Sequence, residues 1–152
     1  SGGMLALIAN PDQRARLVAD PSPAAVETAV EELLRWVSPI KNMARTVTRD
    51  VVLHGETLHE GDQVILLYPS ANRDPSVFED PDRFDVQRDP NPHLAFGFGP
   101  HFCMGNMLAR TQLRQIFSQL LTRVPDLTVG EPETLRSNFV HAVKTMPCSI
   151  RG

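Results

Sequence analysis

The sequence predicts a mainly α-helical chain with a small β-sheet, and three observations carry that expectation. Apolar residues recur at helical spacing in two stretches, one through Val26, Ala29, Val30, Leu33, Leu34 and Val37, the other through Leu113, Ile116, Phe117, Leu120, Leu121 and Val124. Between them, residues 40–68 change to short β-branched runs separated by turn residues. A loop rich in Gly, Pro and Phe, residues 96–105, runs straight into the second stripe.

Taken in order, Met4 to Asn10 reads as the last turns of a buried helix. Asn10-Pro11-Asp12-Gln13 then has the form of a helix start: Asn10 caps, Pro11 suits the first position and Gln13 sits where a capping-box partner reaches back. That short helix runs to about Ala19. Ser22-Pro23 opens the next, over 23–37, and Ser38-Pro39 stops it. It carries Glu32 and Arg35, which on spacing alone read as an exposed pair worth roughly 0.2–0.5 kcal/mol. Residues 40–68 read as a small sheet, with turns at Gly55 and Glu60-Gly61-Asp62 and a strand over 64–68. Residues 70–95, dense in Asp, Pro, Asn and Arg, read as a series of turns pinned by Val77, Phe78 and Phe84. Residues 105–124 read as a core helix ended by Pro125, with Arg110 and Arg114 forming either a solvated face or a basic docking surface for an acidic redox partner. Short strand-like pieces fill 127–150, broken by Gly130, Pro132 and Pro147, with no internal repeat.

A chain of 152 residues with 41% hydrophobic and 22% charged content is long enough for one core. A net charge of -3 and a pI near 5.9 argue against a general nucleic-acid binder. No apolar run approaches the roughly 20 residues that cross a bilayer, and the first residues lack the charged region of a signal peptide, so a cytoplasmic address is expected. Cys103 and Cys148 are the only cysteines, which gives no disulfide framework.

Cys103 lies in the Gly/Pro/Phe loop just ahead of a helix, where unsatisfied backbone N–H groups favour a thiolate. Zinc sites need further Cys or His at short spacing, and a thioredoxin-like pair needs a second Cys three positions away; neither is present. A single thiolate suits the axial position of a haem iron. The alternative is a non-catalytic haem- or metal-binding module using His101 and Cys103 with His93 or Cys148. Gly97-x-Gly99 lacks the third glycine of a dinucleotide fingerprint.

The pattern Phe96-x-x-Gly99-x-x-x-Cys103-x-Gly105 resembles the haem-ligand loop of the cytochrome P450 superfamily, and Glu32-Leu33-Leu34-Arg35, about seventy residues upstream, resembles that family's other signature. The resemblance implies the C-terminal part of the P450 fold and haem b as cofactor, with Cys103 as iron ligand and O2 as co-substrate. It implies further that Phe96 packs near the sulfur, that Gly99 and Gly105 let the backbone turn beneath the porphyrin, and that Arg45 and His101 meet the propionates. Glu32 and Arg35 become a buried pair, completed by a meander arginine for which Arg83 is the candidate. Val37, Ile40 and Met43 are expected to line the substrate cavity, and Phe139 and Val140 to touch substrate.

The activity implied is hydroxylation of an apolar small molecule with electrons from a small ferredoxin-like donor. The wording of Lys41-Asn42-Met43, Ser70-Ala71-Asn72 and His93 to Gly99 is similar to actinobacterial sterol-oxidising members. Family members are more than twice this length, and Ser1 to Pro11 looks like the end of their long central helix. The chain is therefore expected to be a C-terminal haem-ligating portion: end of central helix 1–10, signature helix 23–37, small sheet 40–68, meander 70–95, haem loop 96–105, core helix 105–124 and terminal strands 127–150. Such a portion is expected to show no turnover alone and, with apolar stripes uncovered, to self-associate.

Overall fold

The structure, a computed structural model, describes residues 1–150. Three helices lead the chain, α1 (Gly2–Ala9), α2 (Pro11–Ala19) and α3 (Pro23–Val37), and the rest is arranged around the third. Its ends follow from local chemistry. The Ser22 hydroxyl accepts from the Ala25 N–H at 3.4 Å with Pro23 at the first position, while Ser38 closes the helix in a left-handed conformation at φ 42°. The Ser38 hydroxyl also donates to the Arg35 carbonyl at 2.8 Å. Asn10 does not cap α2 through its side chain; it donates instead to Ala6 O, satisfying the end of α1. Gln13 is likewise diverted, its Oε1 accepting the Val86 N–H at 3.1 Å, so a residue expected in a capping box holds the meander.

After α3 come β1 (Asn42–Thr46), β2 (Val51–Leu53), β3 (Glu56–Leu58) and β4 (Gln63–Leu67), then one helical turn, α4 (Tyr68–Ala71). The expected single sheet is two separate antiparallel ladders. β1 pairs with β4, Asn42 opposite Leu67 through Thr46 opposite Gln63, and β2 with β3 forms a hairpin inserted between them. Tyr68, expected to end a strand, begins α4, because Pro69 cannot donate to a ladder and suits a first helical turn. Residues 72–98 are turns. Gly99–His101 forms a short 3₁₀ turn, and α5 (Asn106–Arg123) follows.

The tail makes two further small ladders, β5 (Thr128–Val129) with β8 (Cys148–Ser149) and β6 (Glu133–Thr134) with β7 (Val143–Thr145). Between β6 and β7, residues 139–141 are strapped to the segment after α3: the Lys41 N–H donates to Phe139 O and the His141 N–H to Pro39 O, both at 2.8 Å.

The core lies where α1, α2, α3, the meander and α5 meet, through Leu7, Leu17, Val30, Leu33, Phe84 and Phe117. Each such side chain taken from water contributes roughly 1.5–3 kcal/mol. Arg14 ties α2 to the segment after α5 by donating to the carbonyls of Pro125 and Leu127. The stripe on α5 is not the uniform core face its spacing suggests. Phe117 and Leu121 are buried, whereas Leu113, Leu120 and Val124 are only partly covered and Ile116 is 52% exposed.

Candidate functional site

The interior of α3 carries Glu32 and Arg35, both 0% exposed. Arg35 spends a guanidinium's five donors fully. Nε and Nη2 grip Glu32 at 2.7 and 2.8 Å, and the remaining hydrogens go to the carbonyls of Asn72, Pro81 and Arg83 at 2.8, 2.8 and 3.1 Å. Glu32 also accepts the Asp85 N–H at 2.9 Å and Asn91 Nδ2 at 3.0 Å. A buried pair is tolerated when geometry and further hydrogen bonds satisfy both ions. This one organises the meander by its backbone.

The third charged member is Arg88, not Arg83. The Arg83 side chain is 60% exposed and faces Asp85 at 3.7 Å, contributing only its carbonyl to the network. Arg88, with 10% of its side chain exposed, brings Nε to 3.3 Å from Glu32 Oε2 while its other nitrogens donate to the carbonyls of Glu79, Asp80 and Arg83. The turn at Asp80, with φ 45°, carries Arg83 past the carboxylate and leaves the later arginine to reach it. Sequence reasoning also passed over Asn72. Fully buried, it donates to Ser38 Oγ at 2.8 Å and accepts the Leu94 N–H at 2.7 Å, so one amide joins the end of α3 to the segment that enters the loop.

That loop folds back on itself. The Cys103 N–H donates to Phe96 O at 2.9 Å, and the Phe102 N–H to Gly99 O at 2.9 Å. Gly97 and Gly99 sit at φ 74° and 71°, where a side chain is strained. Gly105 differs: at φ -82° it caps α5 in a conformation open to any residue, so the second backbone turn is made at Gly97. The Phe96 ring lies among His93, Phe102 and the Arg110 guanidinium, with centroid distances of 6.1, 6.5 and 4.6 Å. Arg110 and Arg114 do not form a free basic face. Arg110 holds Glu31 at 2.8 Å, and Arg114 pairs with Glu27.

Above the loop opens a largely apolar cavity of about 710 Å³. Its wall brings together Ile40, Met43, Arg45, Phe96, His101 and Cys103, with Leu113 and Ile116 of α5 closing one side. Among the described residues Arg45 meets no carboxylate and donates only to its neighbour Ala44 O, and the imidazole of His101 has no hydrogen-bond partner. Three expected lining residues lie elsewhere. Val37 and Val140 border a second cavity, beside α1, because the end of α3 packs there; Phe139 lies on the strap outside the wall, 45% exposed.

Cys103 and Cys148 are free and exposed, and the Cys148 thiol donates to Met146 O. Among the described residues no three His, Cys, Asp or Glu side chains come together to hold a metal, and His93 is committed to Glu31. No described helix is long and apolar enough to cross a membrane.

The family model described as cytochrome P450 matches residues 25–129. The chain is 49% identical over 150 residues to a steroid C26-monooxygenase of Mycolicibacterium smegmatis, covering 97% of this chain and 37% of that protein. It is also 49% identical over 147 residues to a methyl-branched lipid omega-hydroxylase of Mycobacterium tuberculosis, covering 95% of this chain and 34% of that one. Among solved structures, a Mycobacterium marinum cytochrome P450, CYP268A2, in complex with pseudoionone superposes with a TM-score of 0.93 at 45% identity, covering 98% of this chain and 36% of the other. P450BioI, solved with acyl carrier protein ligated to hexadec-9Z-enoic acid, gives a TM-score of 0.93 at 39% identity, covering 98% and 38%. The chain thus spans little more than a third of the length of these relatives.

The family's cofactor is haem b on a cysteine thiolate, and the residues present fit it. An apolar cavity bordered by a thiol, with a guanidinium and an imidazole that meet no carboxylate among the described residues on its wall, suits a flat apolar ring bearing carboxylates. Match, superposition and donor set agree on the chain's membership: it belongs to the cytochrome P450 family.

Proposed function

We propose that this chain is the haem-ligating portion of a monooxygenase that hydroxylates an apolar, sterol-like or methyl-branched lipid substrate. The observation that carries the reading is the cavity of about 710 Å³ with Cys103, Arg45 and His101 on one wall. Haem b held on a thiolate supplies the activation of O2 with two electrons from a donor. The chain's own residues then have separate tasks. Cys103 would hold the iron as its thiolate, from a loop whose backbone is fixed by the Phe96 carbonyl. Arg45 and His101 would hold the group by donating to its carboxylates. Leu34, Ile40, Met43, Leu113 and Ile116 make the lining apolar and would exclude water around the bound group. The Glu32–Arg35 pair acts at a distance, holding the meander that delivers residues 94–96 into the loop.

The substrate class rests on the relatives named for steroid and methyl-branched lipid oxidation, and a small ferredoxin-like protein is the proposed donor, in a cytoplasmic setting. Because the chain spans 37% of the first of these relatives, it is proposed to be inactive alone. The test supplies the haem-loaded chain with a ferredoxin-type donor, O2 and either a steroid or a methyl-branched fatty acid, and analyses for hydroxylated product. The expected result is stoichiometric haem binding without product from this chain, and product once it is extended upstream. An extended chain that binds haem yet oxidises neither class would overturn the proposed substrates.

A further inference from the structure

We propose that Glu31 is a positioning residue for the Cys103 loop, gripping it from α3 through His93 and Arg110. Glu31 and Glu32 are adjacent, and about 100° of helix rotation separates them, so the two carboxylates face different segments. Glu32 serves the meander backbone. Glu31 serves residues on either side of the Cys103 loop, His93 before it and Arg110 after it.

On the upstream side, His93 Nε2 lies 3.0 Å from Glu31 Oε2, with 2% of the imidazole exposed. The Ala95 N–H donates to His93 Nδ1 at 3.2 Å, which assigns the ring proton to Nε2 and makes that nitrogen the donor to Glu31. On the downstream side, Arg110 of α5 meets Glu31 as a fork, Nε to Oε1 at 2.8 Å and Nη2 to Oε2 at 2.8 Å. Its third nitrogen, Nη1, donates to Asn106 Oδ1 at 3.0 Å, and Asn106 Nδ2 donates to the Cys103 carbonyl at 2.8 Å.

The face of the same guanidinium lies 4.6 Å from the centroid of Phe96, whose carbonyl accepts the Cys103 N–H. Both backbone groups of Cys103 are therefore bonded to residues that Arg110 contacts directly, and Glu31 is the anion that orients Arg110. Burial by itself would raise the Glu31 pKa, but hydrogen bonds from His93 and Arg110 outweigh it and hold the carboxyl at about 2, so the anion is present throughout the neutral range.

The inference rests on the haem reading only for what the positioned sulfur binds; the grip itself is a property of the chain without cofactor. Amide hydrogen exchange on the 152-residue chain tests it. Cys103 and Ala95 N–H report the Glu31 side, and Asp85 and Leu94 N–H, bonded to Glu32 and Asn72, report the other network. Glu31→Gln is expected to speed exchange at Cys103 and Ala95 about tenfold while leaving Asp85 and Leu94 unchanged.

Arg110→Lys keeps the charge but loses the fork and the stacking face, and is expected to speed Cys103 more than Ala95. This second variant decides the question if Glu31→Gln does not fold. In the haem-loaded chain both variants are expected to reduce the fraction of the reduced carbon monoxide complex showing the strongly red-shifted Soret band. Unchanged Cys103 exchange in both variants overturns the proposal. So does equal acceleration of all four amides, which would make Glu31 a general support of the fold. A chain that binds no haem would remove the third readout and sink the haem reading, while the amide pattern would still decide the role of Glu31.

Discussion

The two faces of α3 end in contrasting chemistry. On one side, Glu32 and Arg35 are wholly buried and every donor of Arg35 has a protein acceptor within the chain. On the other, Leu34 borders a cavity where the Arg45 guanidinium, the His101 imidazole and the Cys103 thiol have no charged partner among the described residues. The Glu32–Arg35 pair is satisfied within the chain, though Arg88 Nε and Asn91 Oδ1 beside it have no hydrogen-bond partner among the described residues, and on the proposed reading the second region is complementary to a group outside the chain. If that reading holds, the difference separates residues that hold the fold from residues that would hold a ligand, and substitutions should divide along the same line.

The largest effect is expected from breaking the buried pair. Arg35→Leu leaves the buried Glu32 carboxylate with only the Arg88 guanidinium beside it and orphans the carbonyls of Asn72 and Pro81, that of Arg83 keeping its bond from Arg88. A loss of about 3–5 kcal/mol is expected, read as a fall in melting temperature of about 10 °C or as failure to fold. Next comes the choice between two arginines. Arg88→Ala is expected to cost about 2 kcal/mol in denaturant titration, because it removes a partly desolvated cation beside Glu32 and three bonds to carbonyls. Arg83→Ala is expected to stay within about 0.5 kcal/mol. Reversal of that order would restore Arg83 as the network member.

Acid sharpens the comparison further. The Glu31 carboxyl is held at about 2 in the fold against an ordinary 4.5, so its contribution is fully present above pH 4.5 and is lost as pH falls from 4.5 toward 2. Glu31→Gln should remove that part of the acid slope, on the order of 1–2 kcal/mol after allowance for its partial exposure, in urea midpoints measured between pH 6 and about 3. The smallest stability effect belongs to the incomplete side. Arg45→Leu is expected to leave the unfolding midpoint within about 0.5 kcal/mol while weakening haem binding about tenfold, measured by haem titration. A large loss of stability with unchanged haem affinity would place Arg45 on the other side of the division.

How much of this was legible in the sequence depended on whether the signal was local. The span of α3 was readable because Ser22-Pro23 and Ser38-Pro39 mark its ends with backbone chemistry and its stripe keeps one period throughout. The Cys103 loop was readable because glycines and a proline admit few other conformations. The choice between Arg83 and Arg88 was not, since a run of Asp, Pro and Arg turns has no period from which direction can be read. Gly97 was passed over for Gly105 because spacing cannot distinguish a glycine needed for its positive φ from one that caps a helix.

Glu31, His93 and Arg110 were out of reach for a different reason, being 62 and 79 residues apart along the chain. The exposure of Ile116 and the partial covering of Leu113 mark a further limit. Helical spacing identifies an apolar face without identifying what covers it. Val37, Phe139 and Val140 lie apart from the Cys103 cavity because the end of α3 and its strap turn toward α1, a tertiary choice that the local sequence does not encode.

The central claim is that the unsatisfied wall of the cavity is built to hold haem through Cys103. The most direct measurement is the reduced carbon monoxide difference spectrum of the haem-reconstituted chain beside a Cys103→Ala control. A strongly red-shifted Soret band that disappears in the control is the predicted result. A band that survives Cys103→Ala, or a wild-type chain that takes up haem without showing it, would contradict the account.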